Sequence, residues 1–200
     1  MRSINNYISE KLVINKDTGK KHYNYFPKTK EELRDIIKQR IEKEGNECNL
    51  NDINVSSIDS LSYVFYNSKF NGDISEWNVS NVEDMDSMFT GSNFNGDISE
   101  WDVSNVKDMH NMFAVTKFNQ DISSWDVSNV KNMNSMFYKS DFNQDISKWN
   151  VSNVENMYGM FECAKFNKDI SKWKIDKNCN IEDIFAFSPL VHKEYDWWGR

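Results

Sequence analysis

Five aspartates, Asp73, Asp97, Asp121, Asp145 and Asp169, recur at intervals of 24 residues. Carboxylates aligned by a repeat can gather a hard cation, and oxygen ligands of this kind suit calcium. Asp97, Asp121 and Asp145, in the middle of the series, are the calcium candidates. The other reading is structural: each Asp accepts N–H bonds within its own turn, at a depressed pKa. The scarcity of Gly around these positions favours the structural reading, because calcium-binding repeats are usually rich in Gly-Asp loops.

Trp77, Trp101, Trp125, Trp149 and Trp173 recur at the same interval. An indole column open to solvent, above all Trp101, Trp125 and Trp149, would make a stacking platform for sugars. An Ile three residues before each Trp, and a Val or Ile two residues after it, point to the core instead. Two further columns, Asn71 to Asn167 and Asn81 to Asn153, read as turn and amide-bonding residues rather than ligands.

Groups able to do catalysis are scattered. His22, His110 and His192 do not form a set, and Cys48, Cys163 and Cys179 share no short-spaced motif. There is no Ser–His–Asp order, HExxH, phosphate loop or CxxC. The expectation is a non-enzyme without a cofactor. Lys and Arg number 24 against 31 Asp and Glu, a formal net charge of -7, which disfavours nucleic acid as a partner. No run approaches the length of a membrane span. Met1 to Tyr7 has one Arg and no apolar run behind it, so no signal peptide is read. The odd count of three cysteines suits a reducing compartment. The location expected is therefore cytoplasmic or virion-associated rather than the cell surface.

The elements that must position these residues come from the repeat itself, whose units begin at Phe70, Phe94, Phe118, Phe142 and Phe166. Within the third unit, Val130, Met133, Met136 and Phe137 have the spacing of one helical face, with Ser128 as N-cap. Ser80 with Glu83 and Ser152 with Glu155 match capping boxes. Asp121 to Ser123 and Trp125 to Val127 read as extended pieces. Stacked strand on strand at about 4.8 Å, five or six such units predict a short solenoid with a strand face and a helix face, roughly 25 to 30 Å long. Before it, Thr29 and Glu32 form a capping box, Leu33, Ile36, Ile37 and Ile41 line one face, and Gly45 stops the helix. That helix, Thr29 to Lys43, is expected to cover the first unit, and the tail with Tyr195, Trp197 and Trp198 to close the last. The organisation predicted is a polar leader over 1–26, a capping helix and turn over 27–49, the repeats over 50–187 and an aromatic cap or contact segment over 188–200.

The recurring FNQDISSWDVSNVKNMNSMF resembles the BspA-like leucine-rich-repeat family, also described as a domain of unknown function in Mycoplasma-type lipoproteins with 25-residue repeats. The resemblance covers roughly residues 27–187. It implies an α/β solenoid, a leucine-rich-repeat-like right-handed coil of strand–short-helix units with an N-terminal capping helix, and a role in binding or adhesion without catalytic residues. The opening MRSINNYISEKLVINKDT resembles the starts of small proteins of gut Bacteroidales and their phages.

Surface positions vary while the frame repeats. One column runs Glu76, Glu100, Ser124, Lys148, Lys172, and another includes Asp102 and Asp126, so one side grades from acidic to basic. His110 and Tyr158 lie on the expected helix side. These residues, with Trp197 and Trp198, are the partner-binding candidates of the leading expectation: a non-catalytic protein-binding or assembly module acting through the solenoid surface, itself a monomer. The alternatives are a carbohydrate-binding or adhesive module and a calcium-stabilised structural repeat.

Overall fold

The structure, a computed structural model, describes residues 21–196. Among them there is one helix and no strand. The α/β solenoid, with its leucine-rich-repeat-like coil of strand–short-helix units, is therefore corrected: the units stack in register, but each is a loop folded from tight turns.

The single helix, α1, spans Lys30–Glu44. The Thr29 hydroxyl accepts the Glu32 N–H, and the Glu32 carboxylate accepts the Lys28 N–H at 2.7 Å. Gly45 ends it at φ 89°, donating its N–H to the Ile41 carbonyl. Leu33, Ile36 and Ile37 are buried against the first unit, where Lys30 Nζ donates to Ser62 Oγ at 2.6 Å. Arg40 holds Glu44 and Asp52 at 2.8 and 2.7 Å.

Strands fail to form because the polar residues of each unit bend it. Asp121 Oδ1 accepts the Ser123 N–H, Asp126 Oδ1 that of Ser128, and Asn132 Oδ1 that of Asn134, at 2.9 to 3.1 Å. A fourth turn is capped by a hydroxyl, as where Ser140 Oγ accepts the Phe142 N–H. Side-chain oxygens that accept the N–H two residues on close compact turns and displace a ladder. One parallel bridge per unit survives, running Ser60, Asp84, Asp108, Asn132, Asn156, Asn180. Neither piece expected to be extended forms a strand: Asp121–Ser123 leads into the turn that the Trp125 N–H closes on the Ile122 carbonyl, and residues 125–127 only join that turn to the next, closed by the Val130 N–H on the Val127 carbonyl.

The repeat helices fail for a different reason. Ser128 caps no helix, and neither the Ser80/Glu83 nor the Ser152/Glu155 pair starts one. In the segment that carries the helical spacing, alternate N–H groups leave the unit altogether. Met133, Ser135, Phe137 and Lys139 donate to the carbonyls of Asn156, Tyr158, Met160 and Glu162 in the next unit at 2.8 to 2.9 Å. The N–H groups between them close four-residue turns, Met136 to Met133 and Tyr138 to Ser135. This alternation needs two left-handed residues per unit. They form two columns, Tyr63, Ser87, Asn111, Ser135, Gly159, Asp183 and Asn67, Gly91, Val115, Lys139, Cys163, Phe187, all at φ 51° to 66°. Helices packed side by side need about 8–10 Å between axes. Phe113, Phe137 and Phe161 stack face to face at 5.8 and 5.6 Å, so no helix fits between neighbouring units.

The core is a set of apolar columns. The Phe118 column stacks at 6.2 to 6.3 Å, and Phe137 and Phe142 of one unit lie 4.1 Å apart. Ile122, Val130, Met133 and Met136 and their equivalents fill the remaining space. At the far end Leu190 and Tyr195 are buried, with the Tyr195 ring 5.7 Å from Phe185. Trp197, Trp198 and the opening segment through Lys20 lie outside the described residues.

Candidate functional site

The Trp column is core. Trp101, Trp125 and Trp149 are 3–4 % exposed, so the sugar platform expected of them is corrected. Each indole N–H is bonded across the stack to a carbonyl 27 residues earlier: Trp101 to Ile74, Trp125 to Ile98, Trp149 to Ile122, at 3.1 to 3.2 Å. A buried indole needs such an acceptor, and the neighbouring unit supplies it.

The Asp column is exposed, with each carboxylate serving its own turn. Asp97, Asp121 and Asp145 accept the N–H groups of Ser99, Ser123 and Ser147 at 2.9 to 3.0 Å. The Ser123 N–H, then its hydroxyl, holds the Asp121 carboxyl below the usual range; Ser147 does the same for Asp145. Asp169 is lowered by the Ser171 N–H and by Lys193, 3.2 Å away. Asp126 is lowered by the Ser128 hydroxyl and N–H. At Asp73 burial pushes upward, but the Ser75 N–H and hydroxyl outweigh it. Among the described residues no three His, Cys, Asp or Glu side chains converge into a metal-binding group. The calcium-stabilised alternative is thereby corrected: the repeat keeps Asp97, Asp121 and Asp145 in separate turns.

The two Asn columns tie units together in both senses. Asn95, Asn119 and Asn143 accept, through Oδ1, the backbone N–H of the Asn one unit later at 2.8 to 3.0 Å. Asn105, Asn129 and Asn153 donate from Nδ2 to the carbonyls of Ser80, Ser104 and Ser128 in the unit before, all at 2.7 Å. A third column, Asp84, Asp108, Asn132, Asn156 and Asn180, was not singled out from the sequence, although it carries every bridge between the repeat units. Its signal was an Asp or Asn before each repeated Met or Ile.

The surface candidates do not come together in one site. Glu76, Glu100, Lys148 and Lys172 are exposed at one offset, with Asp102 and Asp126 exposed at the next Asx turn. Glu76 pairs with Lys21 at 3.1 Å. Lys172 borders a depression of about 310 Å³ with Asp145, Ser147, Lys168 and Asp169. His110 and Tyr158 belong to a different stretch of the unit. His110 Nδ1 lies 3.0 Å from Asp86 Oδ1 and its Nε2 3.0 Å from Asn111 Nδ2. The Tyr158 hydroxyl donates to Asp183 at 3.3 Å, and that carboxylate raises its pKa. The Cys179 thiol, half-buried beside Lys131, Glu155 and Asp176, is pushed up to about 11, chiefly by burial. The function expected of these residues, binding through the strand and helix faces of a solenoid, is corrected because the described residues form neither face.

No helix among the described residues is long and apolar enough to cross a membrane. No curated protein and no solved structure matches the chain. One family model does, over residues 32–140 and, overlapping, 94–198. The BspA-like leucine-rich-repeat resemblance is corrected at this point, since the units contain neither the strand nor the helix it implies. By a match that spans most of its length, the chain belongs to the family described as Mycoplasma protein of unknown function, DUF285.

Proposed function

We propose that the chain is a non-catalytic, metal-independent structural element: a stiff stack of turns whose repeated polar side chains serve the stack. One observation carries this reading. The repeated Asn and Trp columns are bonded to neighbouring units and the Asp columns to their own turns, which leaves none of the repeated polar groups arranged around a substrate. On this reading the outside contacts of the stack are with protein rather than nucleic acid, in keeping with the net charge of -7, and the chain itself is a monomer. The free thiols Cys48, Cys163 and Cys179 suit a reducing setting, cytoplasmic or virion-associated.

Thermal denaturation of Asn105→Ala, Asn129→Ala and Asn153→Ala tests the proposal, each with millimolar calcium and with excess chelator. Side chains held for stability lower the melting temperature when removed, whereas functional side chains often leave it unchanged or raise it. A lower midpoint in all three variants, indifferent to calcium, is the expected result. Unchanged or raised midpoints, or a calcium-dependent midpoint, would overturn the reading.

A further inference from the structure

The sequence FNGDISEW occurs twice, at Phe70–Trp77 and at Phe94–Trp101. In both, Asn is followed by Gly, and that pair is open to one intramolecular reaction. The amide nitrogen after the Asn attacks the carboxamide carbon of the Asn side chain, and a Gly places no Cβ in its path. In the following units Gln120, Gln144 and Lys168 occupy the Gly position and crowd that nitrogen.

The stack treats the two copies differently. Asn95 is exposed, and its Oδ1 accepts the Asn119 N–H at 2.9 Å. Its backbone carbonyl accepts Gln120 Nε2 at 3.0 Å. The first donor stabilises the negative charge that attack places on Oδ1. The second stabilises the ionised Asn95–Gly96 peptide, whose charge sits largely on the carbonyl oxygen, and so makes the Gly96 N–H more acidic. Both donors are fixed where charge develops. The Gly96 and Asp97 N–H groups and Asn95 Nδ2 have no partner among the described residues, so no bond is broken to free the nucleophile or the leaving group.

Asn71 has only the first of these donors, the Asn95 N–H at 2.8 Å. The position that Gln120 fills is Gly96 one unit earlier, and a Gly cannot reach the Asn71 carbonyl. The backbone on either side of Gly72 is pinned: the Asn71 and Asp73 N–H groups donate to the Asn46 and Cys48 carbonyls, and Asp73 bridges to Asn49. Gly72 itself is buried. Asn119 has both donors, from Asn143 and Gln144, but is followed by Gln120. Among the described residues, exposure, both donors and a following Gly coincide at Asn95 alone.

We infer that the Asn95–Gly96 pair is a site of spontaneous covalent modification, at which the carboxamide is converted to a carboxylate through a succinimide. The Gly96 nitrogen forms a bond to Asn95 Cγ, the bond from Cγ to Nδ2 breaks, and ammonia leaves with the Gly96 amide proton. Water then opens the ring at one carbonyl or the other, leaving an aspartate or an isoaspartate at position 95. The aspartate still accepts the Asn119 N–H. The isoaspartate routes the backbone through the former side chain and removes that acceptor, so the Asn column is cut between these two units. The inference goes beyond the structural reading above and does not depend on it.

Tandem mass spectrometry on the full chain, incubated at neutral pH, tests it by following amide-to-acid conversion at each Asn. Asn71 is the internal control, since the letters around it are the same. Unfolded in guanidinium chloride, the two sites should react at similar rates. In the native chain Asn95 should react about fivefold faster than Asn71 or more, and fragmentation should identify isoaspartate at position 95. Gln120→Ala should slow the reaction at Asn95 about fivefold, the effect of one hydrogen bond, and leave Asn71 unchanged. Gly96→Gln, which brings in the residue of the next two units, should abolish it. An intact Asn95 in the native chain, a native rate there no greater than at Asn71, or an unchanged rate in Gln120→Ala would each overturn the inference.

Discussion

Asn129 Nδ2 donates to the Ser104 carbonyl at 2.7 Å, joining two units through residues 25 apart in sequence. The neighbouring pairs, Asn105 to Ser80 and Asn153 to Ser128, repeat the bond at the same length. A neutral hydrogen bond of this kind contributes about 0.5–1.5 kcal/mol. Asn129→Ala should cost about that much in urea denaturation. The double variant Asn105→Ala/Asn153→Ala should cost about the sum of its single effects, since those sites share no partner.

Phe137 is completely buried, 5.8 Å from Phe113, 5.6 Å from Phe161 and 4.1 Å from Phe142. Phe137→Ala opens a cavity in the middle of the column and should cost about 3–5 kcal/mol. Trp125→Phe keeps most of the volume but leaves the Ile98 carbonyl without its indole donor, at a cost of about 1–3 kcal/mol. Equilibrium denaturation should rank the two in that order.

Val115 is a β-branched residue at φ 57° with its side chain 52 % exposed. Val115→Gly relieves a left-handed penalty of about 1–2 kcal/mol, set against about 0.5–1 kcal/mol of glycine entropy. The melting temperature should rise slightly. The reverse change one unit earlier, Gly91→Val, should lower the melting temperature slightly, because Gly91 holds φ 66° and a β-branched residue is strained there. A Gly91→Val variant as stable as the parent would contradict the left-handed columns.

Acid should weaken the stack. Asp121, Asp126, Asp145 and Asp169 have folded pKa values below their ordinary value of 3.8. For a group lowered on folding, the stabilisation is complete above the unfolded pKa and is lost as pH falls through the folded one. Stability should therefore hold at neutral pH and decline below about pH 4. Asp121→Asn can still accept the Ser123 N–H, as Asn150 accepts that of Ser152, but does not titrate. A double variant Asp121→Asn/Asp145→Asn should lose less stability between pH 7 and pH 3 than the parent, measured by urea titration at each pH.

The column register and the helix start were legible in the letters. Trp, Phe, Ile and Val at one interval fix which residues stack, and Thr29 with Glu32 fixes where α1 begins. The conformation of each unit was not legible. The spacing of Val130, Met133, Met136 and Phe137 fits a helix and equally fits a chain of four-residue turns that buries the same side. What separates the two is the distance to the next unit. Phe rings stacked at 5.6–5.8 Å leave no room for a helix, and alternate N–H groups then find carbonyls across the interface. Likewise the Asp, Asn and Ser letters read as strand edges and helix caps one at a time. Only in the stack do Asp121, Asp126 and Asn132 act together as three consecutive turn closers that forbid a strand. Sequence determined the partners of each residue by position in the repeat. Tertiary stacking decided the backbone conformation, because a hydrogen bond to the neighbouring unit competes with one inside the unit and at this spacing it wins.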